Sequence, residues 1–207
     1  MYEKSLMVAL RKAFASRDVT FTRDLLSPMH AADIADIMEE LEKEERVILF
    51  RYLHKDVAAE VFTYLSQSSQ LELIDTIKAD ETADLVNRLY VDEATDLLEE
   101  LPANTVREIL ENTPREKREL LNKFLKYPED SAGSVMSVEF ISVRPELTVK
   151  EAIEQIRHNK NRLVSVSQVY VTTREHKLVG VLSIRELLSA DDNQIIKDIM
   201  RTKVISL

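Results

Sequence analysis

Leucine or isoleucine recurs every twelve residues through the first part of the chain. Leu41, Leu53, Leu65, Ile77, Leu89, Leu101 and Leu125 keep this step, with Thr113 the exception. Four residues before these positions stand Ile37, Leu49, Val61, Leu73, Leu85, Leu97, Ile109 and Leu121, all apolar. Three residues before stand Met38, Phe50, Phe62, Ile74, Val86, Leu98, Leu110 and the polar Asn122. Apolar side chains at i, i+1 and i+4 share one face of an α-helix, so each unit predicts a helix of roughly two turns. Three residues after the repeat leucines come Glu44, Asp56, Ser68, Asp80, Asp92, Asn104 and Glu116. Most of these are N-cap types, whose side-chain oxygens accept the unpaired N–H groups of a new helix, and they predict the helix starts. Pro102 and Pro114 follow their helices closely and stop propagation. Helices this short are marginal alone because nucleation is costly. They must stack on their neighbours, which predicts a superhelix of short helices over about residues 28–126. Leading helices are expected over residues 3–16 and about 20–27.

The pattern changes after Lys126-Tyr127-Pro128. Val138 to Val143 reads as a strand. Thr148 then caps an amphipathic helix from Val149 to His158, with Ala152, Ile153 and Ile156 on one face. Strand-like alternation runs from Leu163 to Thr173, and Lys177 to Leu182 is a further strand. A helix begins at Ile184. Strand, helix, strand, strand, helix is a small α/β unit. Met136 to Val143 then resembles Met200 to Leu207, sixty-four residues later, so the chain is expected to stop inside a second copy. The overall expectation is an α+β, multi-domain chain: an all-α superhelix over 1–127, an α/β domain over 128–199, and the opening strand of a truncated second one over 200–207.

Composition narrows the chemistry. The formal net charge is −9, which argues against nucleic acid, whose phosphates demand a basic face. No cysteine occurs, so disulfides, thiolate metal sites and cysteine nucleophiles are excluded. His30, His54, His158 and His176 are scattered, with no two four apart. A metal site must therefore use oxygen ligands, which suits Mg²⁺ or Ca²⁺. No apolar run approaches the ~18 residues of a membrane span, and the first residues lack a signal-peptide layout, so a soluble polypeptide is expected. Phosphate-cradling glycine motifs and nucleophile motifs are missing, and an enzyme is not expected.

The second unit resembles a CBS domain, through Gly180-Val181-Leu182-Ser183-Ile184-Arg185-Glu186-Leu187-Leu188 and Ile196-Lys197-Asp198-Ile199-Met200. A repeating-helix domain is joined to it by Tyr127-Pro128-Glu129-Asp130-Ser131-Ala132-Gly133-Ser134-Val135-Met136. That combination is similar to the MgtE family of magnesium transporters. The resemblance implies a region on the cytoplasmic side of the cell membrane, a homodimer formed through CBS domains, and a transmembrane pore domain in the full-length protein. It also implies a regulatory role in which Mg²⁺ binding rearranges the domains and gates transport.

Five residues before the repeat leucines stand Asp36, Glu60, Glu72, Asp84, Asp96 and Glu108, with Ile48 and Leu120 completing the series. In a regular stack these form an acidic ridge. Carboxylates ~6 Å apart repel by roughly 3 kcal/mol at an effective dielectric near 20, less when screened, and a divalent cation relieves that repulsion. The plain alternative is a solvated acidic face. Asp92 has a further one, since it falls at the expected cap position. The resemblance implies that Asp96, Asp92 and Glu60 hold regulatory Mg²⁺, Asp92 and Asp96 being four apart and on one helical face. It also implies an adenine-nucleotide cleft such as ATP occupies, with Ser183 in the place of the ribose-binding hydroxyl and Glu186 where an aspartate is usual. Ser183 reads first as a helix N-cap. An adenine-nucleotide-sensing CBS module and a helical interaction scaffold stand as the other functional readings.

Overall fold

The computed structural model describes residues 2–128, 131–158 and 167–204. The chain divides into two compact units, Met1–Met136 and Ser137–Leu207.

Unit one is all helical. It begins with α1 (Tyr2–Ser16) and α2 (Val19–Leu26), then continues as α3 (Ala31–Glu39), α4 (Lys43–Tyr52), α5 (Lys55–Tyr64), α6 (Gln67–Thr76), α7 (Ala79–Arg88), α8 (Val91–Glu99), α9 (Ala103–Asn112) and α10 (Arg115–Phe124). Most repeats devote ten residues to helix and two to the joint. The helices are therefore nearly three turns long, not two. Their N-caps are Glu42, His54, Ser66, Lys78, Tyr90, Pro102 and Pro114, one residue after each repeat leucine. The expected cap positions lie two residues too far along. Leu53, Leu65, Ile77 and Leu89 are C-caps with extended backbone, so two adjacent extended residues make the whole corner. The acids at the expected cap positions sit inside the first turn, where they complement the helix dipole.

Stacking follows a period of two repeats. Helix α3 packs on α5, α5 on α7 and α7 on α9, while α4 packs on α6 and α8 on α10. The acidic residues are divided accordingly. Asp36, Glu60, Asp84 and Glu108 belong to the first column, and Glu72 and Asp96 to the second, so the single ridge expected from the sequence does not exist. The core is the apolar face already described: α5 buries Ala58, Ala59, Val61 and Phe62, and α7 buries Ala83, Leu85 and Val86.

Side chains reaching across repeats close the helix ends. Arg46 in α4 is buried and donates through Nε to the Met38 carbonyl at 2.9 Å and through Nη2 to that of Leu41 at 3.2 Å. Its Nη1 meets Glu72 Oε2 of α6 at 2.9 Å. Gln70 Nε2 donates to the Phe62 carbonyl at 2.8 Å, and Arg118 Nη1 to that of Leu110 at 3.4 Å. Glu39 at the end of α3 accepts from Ser66 N at 2.7 Å and Ser69 Oγ at 2.6 Å, capping α6 from outside. These bonds satisfy the orphan groups that every helix terminus leaves.

Unit two contains β1 (Ser142–Val143), α11 (Val149–His158), β2 (Gln168–Thr172), β3 (Leu178–Ser183), α12 (Ile184–Ser189) and α13 (Ile196–Ile199). The sheet order is β1-β2-β3, with β1 parallel to β2 and β2 antiparallel to β3. Val143, Val149, Ala152, Val169, Val171, Leu182, Leu187 and Ile196 form its core. Thr148 and Glu151 cap α11 reciprocally, as the sequence predicts. The strand expected from Val138 is laddered only at Ser142–Val143; before it, Phe140 packs its ring edge-on against Tyr170. Part of the alternation from Leu163 lies outside the described residues. So do Ile205-Ser206-Leu207 of the expected second copy. Its start forms a bridge instead of a described strand: Arg201 N donates to Val181 O at 2.8 Å, and Arg201 O accepts from Val181 N at 2.9 Å.

Candidate functional site

The carboxylates of unit one differ in what surrounds them. Asp84 meets Lys55 Nζ at 2.8 Å and Arg88 Nε at 3.4 Å, and Arg88 also pairs with Asp56. Burial works against its charge, but hydrogen bonds from Lys55 and Arg88 outweigh it and hold the carboxyl below its ordinary range. Glu72 is paired with Arg46. These two acids carry their own counter-ions within the stack.

Helix α8 presents a different arrangement. It begins at Val91, so Asp92 is the second helical residue and not the cap; Tyr90 is the cap. Asp92 is half-buried, and its Oδ1 is buried with no hydrogen-bond partner. Such an atom is costly to leave unmatched. Asp96 follows one turn later on the same face. Its residue surface is exposed, yet its pKa is raised, first by burial of the carboxyl and second by the like charge of Asp92. The two acids therefore repel, and among the described residues no cation pairs with either in the manner of Asp84.

Beside Asp96 the second column opens. Helices α6 and α8 are less closely packed than their neighbours, and a cleft of about 270 Å³ lies there. Phe62, Gln67, Gln70, Leu71, Glu93 and Asp96 are among the residues lining it. Glu60, exposed on α5, borders a neighbouring cleft of about 240 Å³ with Asp56, Arg88 and Tyr90. Both clefts share Thr63, Leu89 and Glu93. The structure thus brings Asp92 and Asp96 together and sets Glu60 in the adjoining cleft. Sequence reasoning missed Glu93, whose Oε2 accepts the Tyr90 N–H at 3.1 Å; the serine or threonine that usually announces such a pairing is replaced by Tyr90.

Mg²⁺ keeps several waters and is commonly held by one or two carboxylates. An unpartnered buried oxygen beside a second, like-charged carboxylate fits such an ion. Among the described residues no group of three acidic or histidine side chains is placed to hold a metal, so an ion at this pair would need further donors.

A raised pKa has a direction in stability. Asp96 binds its proton more tightly folded than unfolded, so its ionised form weakens the fold above the folded pKa, and the penalty disappears as pH falls through it. The effect is below ~1 kcal/mol for so exposed a group. Asp96→Asn in the presence of a chelator is therefore expected to raise the melting temperature at neutral pH by roughly 1–2 °C, read by far-UV circular dichroism. A lowered value contradicts the repulsion.

In unit two, Ser183 and Glu186 are occupied by each other. Ser183 N donates to Glu186 Oε2 at 2.6 Å, Ser183 Oγ donates to the same atom at 2.9 Å, and Glu186 N donates back to Ser183 Oγ at 3.2 Å. Glu186 Oε1 also lies 3.7 Å from Arg201 Nε. This is a capping box at the start of α12. The longer glutamate folds back on its own helix end, so in this arrangement neither side chain is offered to a ribose.

No described helix is long and apolar enough to cross a membrane. The family model of the MgtE intracellular N domain matches residues 29–130, and that of the CBS domain residues 132–193. The magnesium transporter MgtE of Enterococcus faecalis is 34% identical over 87 residues, which is 42% of this chain and 19% of that protein. MgtE of Thermus thermophilus is 34% identical over 92 residues, 44% of this chain and 20% of that one. The matched stretch thus spans about a fifth of these curated relatives. Among solved structures, the soluble part of a magnesium transporter superimposes with a TM-score of 0.91 at 25% identity, over 99% of this chain and 80% of that one. The cytosolic domain of the Mg²⁺ channel MgtE in complex with ATP does so with a TM-score of 0.83 at 30% identity, over 96% and 81%. With both of its units matched in order, the chain belongs to the MgtE family and carries that family's intracellular N domain followed by a CBS domain.

Proposed function

We propose that this chain is the cytosolic regulatory region of a magnesium transporter, in which Mg²⁺ binding at Asp92 and Asp96 shifts the protein towards a compact, transport-closed state. The observation that carries this reading is the buried, unpartnered Asp92 Oδ1 beside the like-charged Asp96. The ion relieves their repulsion and completes its shell with water and with acceptors from elsewhere in the full-length dimer. Glu60 serves a second, neighbouring position. When Mg²⁺ falls, the bound ion leaves, the repulsion returns and the compact state loses its advantage. A ligand shifts such an equilibrium only by its differential affinity for the two states, so the carboxylates must be better matched to the ion in the closed state. The region acts by binding, not by catalysis. Association through CBS domains as a homodimer, and linkage to a transmembrane pore, belong to the same proposal. Nucleotide binding at Ser183 and Glu186 is not required by it.

The test is calorimetric titration of Mg²⁺ at near-physiological salt into this chain and into the full-length protein, with Asp96→Ala beside each. Saturable heat that the variant loses is the expected result. Silence from the full-length protein, or heat that Asp96→Ala retains in full, overturns the reading.

A further inference from the structure

The even-numbered helices of the stack share a device that fails in one place. Arg46 of α4, Gln70 of α6 and Arg118 of α10 are separated by multiples of twenty-four residues, and each donates to the carbonyl eight residues earlier. The matching position in α8 is Ala94, fully buried and without a polar side chain. The end of α7 is closed differently. Lys117 Nζ of α10 donates to the Leu89 carbonyl at 2.5 Å, and Leu89 holds the same repeat position as Leu41, the second acceptor of Arg46. A donor two helices further along has taken over from the one α8 lacks.

The peptide that Lys117 grips is the one that launches the carboxylate helix. The Leu89 carbonyl and the Tyr90 N–H are the two polar groups of a single peptide plane. Lys117 holds the oxygen, and Glu93 Oε2 accepts from the N–H at 3.1 Å. A peptide plane has two soft torsions beside it and none within it, so bonds on both of its sides fix the direction in which α8 leaves the joint. Asp92 is two residues beyond that plane.

We propose that Lys117 is a positioning residue of the divalent-cation site: by pinning the Leu89–Tyr90 peptide from α10, it sets the orientation of the α8 turn that carries Asp92 and Asp96. This rests on the reading of those two carboxylates as an Mg²⁺ site. Site geometry must be held within a fraction of an ångström by supporting groups for full affinity, and outer-shell partners commonly change metal affinity tenfold or more when removed. Pinning and simple electrostatics predict opposite signs. A cation near the site repels Mg²⁺, so loss of its charge alone strengthens binding; loss of the pin weakens it.

The experiment uses Mn²⁺ alone as a paramagnetic probe, added below stoichiometry to the ¹⁵N-labelled 207-residue chain and followed by broadening of backbone amides. The method reads weak binding as readily as strong. Wild type, Asp96→Asn, Lys117→Met and Lys117→Arg are compared. The expected result is broadening centred on residues 91–97 that Asp96→Asn abolishes, that Lys117→Met needs roughly five- to tenfold more Mn²⁺ to reach, and that Lys117→Arg shows within about twofold of wild type. Amide shifts in α3 to α6 act as the control for folding, and the arginine variant separates pinning from general damage. Unchanged or tighter binding in Lys117→Met overturns the role of Lys117 while the carboxylate reading survives. Failure of wild type to show any broadening at α8, or broadening that Asp96→Asn leaves intact, overturns that reading and the inference with it.

Discussion

Replacing Arg46 by methionine is expected to lower the unfolding free energy of the helical unit by about 2–4 kcal/mol. The side chain is only 10% exposed, and its three contacts are unequal. Two go to main-chain carbonyls at the end of α3, Met38 at 2.9 Å and Leu41 at 3.2 Å. The Met38 oxygen keeps the Leu41 N–H at 3.2 Å, so the cost is the two lost charge-assisted bonds and the exposure of the Leu41 oxygen, where an unsatisfied buried acceptor costs about 1–3 kcal/mol. The third contact is to Glu72, whose side chain is 47% exposed, and a solvent-screened ion pair contributes less than ~1 kcal/mol. Methionine keeps most of the packing volume, so the loss isolates the polar contacts. Urea unfolding monitored by circular dichroism of Arg46→Met and Glu72→Gln checks the ranking. If Glu72→Gln destabilises as much as Arg46→Met, the ion pair and not the carbonyl clamp holds this joint.

A side chain at position 180 is the second large perturbation. A Cβ placed there would lie 2.5 Å from Met200 Sδ, 2.9 Å from its Cγ and 3.1 Å from the Arg201 carbonyl oxygen. The methionine tip is flexible and can move. The carbonyl cannot move without loosening the paired bonds between Arg201 and Val181 at 2.8 and 2.9 Å. Gly180→Ala is therefore expected to cost about 1–2 kcal/mol and Gly180→Val about 3 kcal/mol. Truncating the neighbour discriminates the cause: in a Met200→Ala background the alanine penalty should fall by at least about 0.5 kcal/mol, since residues in contact are not additive. Thermal unfolding of the four variants measures this. Strict additivity points to the Arg201 backbone as the obstacle.

The repeat itself was legible because burial imposes the same apolar phase on every helix, and a fixed period of twelve survives in the sequence. The two-column arrangement was not legible for the same reason. Leu49 in α4 and Val61 in α5 occupy equivalent phases and are equally buried, so nothing local distinguishes odd helices from even ones. That is why Asp84 and Asp96 looked like members of one ridge. Caps were misplaced because polar side chains are enriched both at caps and throughout first turns; only the extended backbone at Leu89 and Tyr90 tells the two apart. Asp92 and Asp96 were singled out through a family resemblance joined to their spacing. Lys117 left no local trace, since it acts on a peptide twenty-eight residues away. The interruption of the series Arg46, Gln70, Arg118 at Ala94 was the available clue, and it becomes visible only when the chain is aligned against itself at twenty-four residues.

The alternation of columns constrains how such a chain can grow or shrink. Removing one twelve-residue unit would leave the hydrophobic phase intact, yet it would transfer every later helix to the opposite column. A unit lost between Glu39 and Ser66 would bring Glu39 to the wrong helix end, and one lost between Leu89 and Lys117 would take Lys117 out of reach of Leu89. Removing or duplicating twenty-four residues preserves each partnership beyond the splice. The inheritable module of this domain is thus a helix pair, and insertions and deletions among its relatives should come in even numbers of helices.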